Sequence, residues 1–248
     1  MITTRRARGR LRIGTSGYQY DHWQGVFYPE DLRKKEWFGY YCRYFDTVEI
    51  NNTFYNLPEA KTFDAWRKAV SDDFCYVLKY SRYGSHIKKL KDPKQHVDRF
   101  VERASRLGPR LGPVLVQLPD RWKPAADRLD AFLEAVPDTW RWALEFRDRR
   151  WLNEEVYQVL RKHRAALCIH DMIRQHPEEI TAEWVYLRFH GKNGGAYGSN
   201  ELGETARRIA GYLKQGLDTY VFFNNDAGGH AVYNALELKR DLENEADL

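Results

Sequence analysis

Residues 142–147 read Trp-Ala-Leu-Glu-Phe-Arg, an apolar run that closes on two ionisable side chains, and the pattern recurs along the chain. Eight such segments, at residues 11–16, 47–51, 75–79, 114–118, 142–146, 166–170, 185–190 and 220–224, are short and rich in β-branched, aromatic and aliphatic residues. That composition reads as strand. Between most of them lies a stretch with helical periodicity, and strand alternating with helix marks a parallel β/α fold.

The connecting helices announce themselves by spacing and punctuation. Phe38, Tyr41, Cys42 and Phe45 fall on one face before the second segment, as do Val97, Phe100, Val101 and Ala104 before the fourth. Pro93 suits a first helical turn, and Gly108 with Pro109 stops the same helix. Further helices are expected over residues 125–136, 154–163, 202–215 and 231–242, whereas the sixth connection, around 177–182, is too short for a full helix. Eight units in 248 residues fit a single (β/α)8 TIM-type barrel over residues 11–248, with the sixth helix short or irregular. The rival is an open doubly wound sheet. It loses ground because no G-x-G-x-x-G follows the first strand and no G-x-x-x-x-G-K-[ST] occurs.

With 43% hydrophobic against 30% charged residues, the chain can bury a substantial core. The formal charge of +5 is too small by itself to imply nucleic acid. Part of it comes from Arg5, Arg6, Arg8, Arg10 and Arg12, read as a basic, flexible arm over residues 1–10. No apolar run is long enough to span a membrane and no signal-like stretch follows the arginines, so a cytoplasmic protein without a membrane partner is expected. Cys42, Cys75 and Cys168 are scattered, which argues against disulfides and structural zinc.

Nearly every segment finishes on hydrogen-bonding or ionisable groups. They are Glu49 and Asn51; Lys79 with Arg82 and His86 just beyond; Gln117; Glu145 and Arg147; His170 and Asp171; Arg188 and His190; and Asn224, Asn225 and Asp226. In a parallel barrel these ends share the C-terminal rim, where barrel active sites are built. Residues two apart on a strand share a face, so Glu49 goes with Asn51, Glu145 with Arg147, Arg188 with His190, and Asn224 with Asp226. Singly, a residue such as Gln117 is explained by ordinary structural pairing. Five ionisable groups ending five strands (Glu49, Lys79, Glu145, Arg188 and Asp226) are hard to explain by stability, since burying charge is costly unless it is paired.

The chain also resembles a known family, the YecE-like proteins, catalogued as a domain of unknown function (number 72). The resemblance is carried by IGTSGYQYDHWQGVFYP at 13–29, TVEINNTFY at 47–55, KYSRYGSH at 79–86, GPVLVQLP at 112–119, EFR at 145–147 with Trp151, RFHG at 188–191, and FNND at 223–226 followed by Gly229, Ala231, Asn234 and Ala235. It implies a TIM-type barrel. Ser85 stands where threonine is common, and 148–150 replaces a stretch usually carrying His and Ser. The family's reaction is not established, so it supplies no function.

The residues point to an enzyme using acid/base chemistry on an anionic small molecule, a phosphorylated or carboxylated compound such as a sugar derivative. Glu49, Glu145, Asp226, Lys79, His86 and Asp171 are the catalytic candidates. Asn51, Arg82, Arg147, Arg188, His190, Asn224, Asn225, Gln117, Tyr18 and Trp23 are the substrate-binding candidates. The glycine-dense loop at 191–198 could hold a phosphate or be a plain surface turn. Two alternatives stand beside this reading. A metal-assisted phosphodiesterase or nuclease-like hydrolase would use the carboxylates and histidines, with nucleic acid as a partner; a non-catalytic ligand-binding or adaptor module would only retain its ligand. No cofactor is required by the sequence, no metal ligand is assigned, and a divalent metal stays open.

Overall fold

In the computed structural model, which describes residues 8–246, eight parallel strands form a nearly closed barrel. They are β1 (Leu11–Thr15), β2 (Thr47–Ile50), β3 (Cys75–Lys79), β4 (Leu111–Gln117), β5 (Trp142–Glu145), β6 (Ala166–His170), β7 (Trp184–Phe189) and β8 (Asp218–Phe223). Ladders join each strand to the next in sequence from β2 to β8, and β8 pairs with β1. The period-two alternation therefore sorts side chains between an inner and an outer core. Val77, Leu115, Ala143, Ala166, Cys168, Trp184, Tyr186, Tyr220 and Phe222 fill the barrel itself. Their alternating neighbours, such as Leu78, Val116, Leu144 and Leu187, pack outward against the helices.

Those helices are α1 (Trp37–Tyr41), α2 (Asn52–Tyr55), α3 (Ala60–Lys68), α4 (Pro93–Ala104), α5 (Ala126–Ala135), α6 (Glu154–Lys162), α7 (Ser199–Lys214) and α8 (His230–Ala246). Helix α6 shows how local sequence sets the bounds. Asn153 Oδ1 accepts the Val156 N–H at 3.1 Å, Glu154 and Glu155 sit in the first turn, and Arg161 and Lys162 in the last. Val156, Tyr157 and Leu160 give it one buried face. As expected, Pro93 opens α4, and Gly108, at φ 57°, ends the helical stretch that follows. Between β6 and β7 no helix forms. The short α2, which the apolar spacing does not signal, inserts directly after β2.

Closure is incomplete between β1 and β2, which share the Ser16–Glu49 bridge instead of a ladder. Below that bridge the Tyr41 hydroxyl takes the place of the missing backbone bonds. It accepts the Thr15 N–H at 3.0 Å and donates to the Thr47 carbonyl at 3.1 Å. Gly14 allows this approach, because a Cβ there would lie 2.5 Å from the Thr47 carbonyl oxygen.

The N-terminal expectation needs correction. The chain is docked from Gly9, whose N–H donates to the Leu213 carbonyl, and Arg10 bonds through its backbone to Asp218 and Thr219. Arg12 is a buried strand residue paired with Asp46, not part of an arm, because its inward position on β1 places the guanidinium at the barrel floor. Arg5 and Arg6 lie outside the described residues. No helix among the described residues is long and apolar enough to cross a membrane.

Replacing Tyr41 with Phe should leave the Thr15 N–H and the Thr47 carbonyl buried without a partner, at about 1–3 kcal/mol. Urea denaturation should show that loss as a lower midpoint with an unchanged slope. An unaltered midpoint would mean that the seam is held by something else.

Candidate active site

Arg188, near the end of β7, is almost wholly buried at 1% exposure and lies across the barrel between two carboxylates that are fully buried. Its Nη1 donates to Glu145 Oε2 from β5 at 2.5 Å, and its Nη2 to Glu49 Oε1 from β2 at 2.7 Å. A weaker contact reaches Ser16 Oγ at 3.3 Å. The remaining carboxylate oxygens are also taken. Glu49 Oε2 accepts the Tyr186 hydroxyl at 2.6 Å, and Glu145 Oε1 accepts Arg147 Nε. Burial alone would raise the Glu145 carboxyl, but Arg188 and Arg147 overcome it and hold the group well below its ordinary 4.5.

The set continues upward to the rim. Arg147 Nη2 lies 3.5 Å from His190 Nε2, and Asn224 Nδ2 lies 3.1 Å from His190 Nδ1. Burial and the nearby Arg188 hold His190 down at about 2, so it is a neutral imidazole. Lys79, at the end of β3, stands apart. Its Nζ lies 4.5 Å from the centre of the Phe54 ring and makes no hydrogen bond or ion pair among the described residues. Burial, with Arg188 adding to it, lowers its ammonium from 10.5 to about 8. His86, on a π-helical turn over Tyr83–Ile87, packs edge-on against the same Phe54 ring. Ser85 Oγ donates to the Ser81 carbonyl and so accepts from His86 Nδ1 at 2.9 Å, which leaves Nε2 as the bare nitrogen. Burial, with Lys79 and Arg82 nearby, lowers His86 to about 4.

Counting Lys79, Arg147 and Arg188 against Glu49 and Glu145 leaves one positive charge in excess. A pocket read from sequence as taking an anionic ligand is thus nearly neutralised from within, and the surplus resides on Lys79.

Several candidates take other positions. Asp171 accepts the backbone N–H groups of His190 and Gly191 and the Tyr197 hydroxyl, so it is committed to holding the loop after β7. His170 is tied at both nitrogens, to the Phe146 carbonyl and the Met172 N–H. Asn225 bonds to Gly195 and Asn234. In the glycine loop the N–H groups of Gly191, Gly194, Gly195 and Tyr197 are already engaged within the protein, which leaves fewer of them to meet an anion. Shared faces fail past the ends of β2 and β8. Asn51 enters α2 and lines a separate cleft with Tyr18, and Asp226 begins a 3-10 turn beside His22. Trp23 is buried, with its indole N–H on the Asp226 carbonyl. Gln117 is half-buried on the inner face next to Glu145 in register, and Arg82 is exposed.

Sequence reasoning missed Tyr186, Ser16 and His22. The period-two rule could have found Tyr186, since it precedes Arg188 by two residues on one strand. For a metal, the described residues bring Asp130, Glu134 and His163 together on the α5–α6 layer, where Lys162 already occupies both carboxylates. At the rim, a metal on Glu49 or Glu145 would have to displace Arg188, Arg147 or the Tyr186 hydroxyl.

Across residues 12–248 the sequence matches the family described as "Protein of unknown function DUF72". The chain belongs to that family. A DUF72 family protein from Thermotoga maritima is 30% identical, with a TM-score of 0.86 over 94% of this chain and 99% of that one. YunF of Bacillus subtilis is 25% identical over 94% of this chain and 95% of its own length. YecE of Escherichia coli K12 is 34% identical over 108 residues, a match spanning 43% of this chain and 40% of YecE. The stretches at 47–55, 79–86, 145–147 and 188–191, which carry the resemblance, are the ones that bring Glu49, Lys79, Glu145 and Arg188 into the barrel.

Glu145→Gln should destabilise the protein by about 3–5 kcal/mol near pH 7, because Arg147 loses its counter-charge and Arg188 one of two. A depressed carboxyl contributes stability that is complete above its unfolded pKa and lost as pH falls through the folded one. The gap between wild type and variant should therefore narrow as pH falls below 4.5. Denaturant titrations at stepped pH measure it, and a gap that does not change with pH would contradict an ionised Glu145.

Proposed function

We propose that this chain is an enzyme that carries out acid/base chemistry on an anionic small molecule, phosphorylated or carboxylated, at the C-terminal rim of its barrel. The observation that carries this reading is Lys79. It is mostly buried, has no acid partner among the described residues, and is lowered to about 8, while Arg147 and Arg188 are tied to carboxylates. An amine in that range is partly neutral at physiological pH, which suits a group that must accept a proton and give it back. Sugar phosphates and sugar acids belong to the substrate class.

Glu49 and Glu145 serve as fixed counter-charges in this reading, because their four oxygens are occupied and Glu145 stays ionised. The proton-transfer role passes to Lys79, with His86 Nε2 as a second, unprotonated acceptor beside it. Arg147, whose side chain is 18% exposed, and the exposed Arg82 meet the anion, and Asn224 with His190 supplies hydroxyl-directed hydrogen bonds. The rim carries few competing positive charges, so binding rests on fork-shaped contacts more than on a broad field.

A panel of phosphorylated and carboxylated sugars and oxo acids, screened by turnover and by thermal shift, identifies the ligand. With a substrate in hand, kcat/KM should rise with pH and level off above about 8, as the Lys79 ammonium gives up its proton. Lys79→Met should abolish turnover while leaving the fold intact, since it removes an unpaired buried charge. Full turnover by that variant, or a profile without a step near 8, would refute the assignment.

A further inference from the structure

The geometry points to Lys79 as a nucleophile that condenses with the carbonyl group of its substrate, making the substrate an anionic aldehyde or ketone such as an oxo acid or a phosphorylated sugar. This deepens the function proposed above and rests on it for the anion site. Its new content is that the amine lone pair reacts with carbon.

Three features of the pocket support it. First, Nζ is unencumbered: Glu49 and Glu145 are already held by Arg188, Arg147 and Tyr186, so neither carboxylate clamps the amine as an ion pair. Second, the side chain lies against the Phe54 ring and retains 9% of its surface, a dry but reachable position that favours the uncharged amine. Third, the two tasks are divided among different groups. Arg147 and Arg82 can hold the anionic end, leaving Lys79 for the reacting carbon. A lysine meant only as a point charge for the anion would gain from a solvated setting, and this one lacks it.

The step balances without a further reagent. The neutral amine attacks the carbonyl carbon, the N–C bond forms, and the carbonyl pair moves onto oxygen, which takes a proton from nitrogen. The resulting carbinolamine loses its oxygen as water when that oxygen is protonated, and the nitrogen lone pair closes the C=N bond. Counted from the ammonium, one ammonium and one carbonyl give one protonated imine and one water. The cationic imine then draws electrons from the adjacent carbon, and the bare Nε2 of His86 is the neighbouring group able to accept the proton released there.

Pyridoxal 5′-phosphate is a suitable probe, being an aldehyde that carries a phosphate. The intact protein is incubated with it near pH 7.5, reduced with borohydride, and its labelled lysines are mapped by peptide mass spectrometry. Since each pKa unit is tenfold in neutral amine, Lys79 should label on the order of a hundredfold faster than an exposed lysine of ordinary basicity. Inorganic phosphate should protect it, and Lys79→Arg, which keeps the charge, should lose the dominant adduct. Adducts spread over surface lysines with Lys79 unlabelled would overturn the inference. Phosphate-protectable retention of the probe without a reducible adduct at Lys79 would also overturn it while leaving the anion site standing. Equal labelling of Lys79 by pyridoxal, which lacks the phosphate, would support imine formation and count against the anion site.

Discussion

A guanidinium enclosed inside a barrel must find its counter-charges within the barrel wall, and Arg188 finds them on β2 and β5, on either side of its own strand β7. Desolvating such a charge costs several kcal/mol, which is recovered only with close geometry and with the other polar atoms satisfied. The Glu49–Arg188–Glu145 bridge therefore constrains three strands at once, and it can form only if the sheet curls far enough to bring β2 across from β7. That curl is helped by the seam, where the Tyr41 hydroxyl and the Ser16–Glu49 bridge hold β1 and β2 together in place of a ladder. An apolar plug of equal volume would serve stability as well or better. The charges thus make most sense as the base of a site.

The same bridge decides the character of Lys79. By occupying both carboxylates, Arg188 and Arg147 deprive the lysine of acid partners, and the positive charge of Arg188 further disfavours its ammonium. Phe54 then replaces water over the amine. Remove Arg188 and one oxygen of each carboxylate would lose its partner, and their charge, no longer offset by the guanidinium, would raise the basicity of Lys79. The buried network is in this sense an electrostatic setting for one buried amine at the rim.

The barrel was legible in the sequence because its strands are short, its inward positions alternate and its helices are punctuated by residues such as Pro93 and Asn153. The rim residues on strands were legible for the same reason: Glu145 with Arg147 and Arg188 with His190 do face inward together. The rule lapsed at Asn51, one residue past β2, and at Asp226, three past β8, whereas Arg147 and His190 keep the inward direction although β5 and β7 have already ended. Asn51 and Asp226 adopt helical or turn dihedrals, so their side chains leave the axis. Partnership was not legible at all, since only the folded chain shows that Asp171 is spent on backbone N–H groups while Lys79, beside the Phe54 ring, makes no hydrogen bond or ion pair among the described residues. Nor could composition show that Arg12 is a buried strand residue, because a run of arginines near a terminus looks alike whether it is docked or solvated.

The connection without a helix bears on the same bridge. An ordinary β/α unit fixes the spacing of its two strands by packing a helix over them, but residues 171–183 contain none, and a cleft of about 290 Å³ opens there beside α7. The β6–β7 register is held by side chains in its place. Thr181 bonds to the Leu167 N–H and the Ala165 carbonyl at the lower end, and Asp171 gathers the backbone of His190 and Gly191 at the upper end. Between these two fastenings His170 stays paired with Arg188 in register. Asp171 thus fixes the strand that carries Arg188, and in the proposed chemistry its place is one of position.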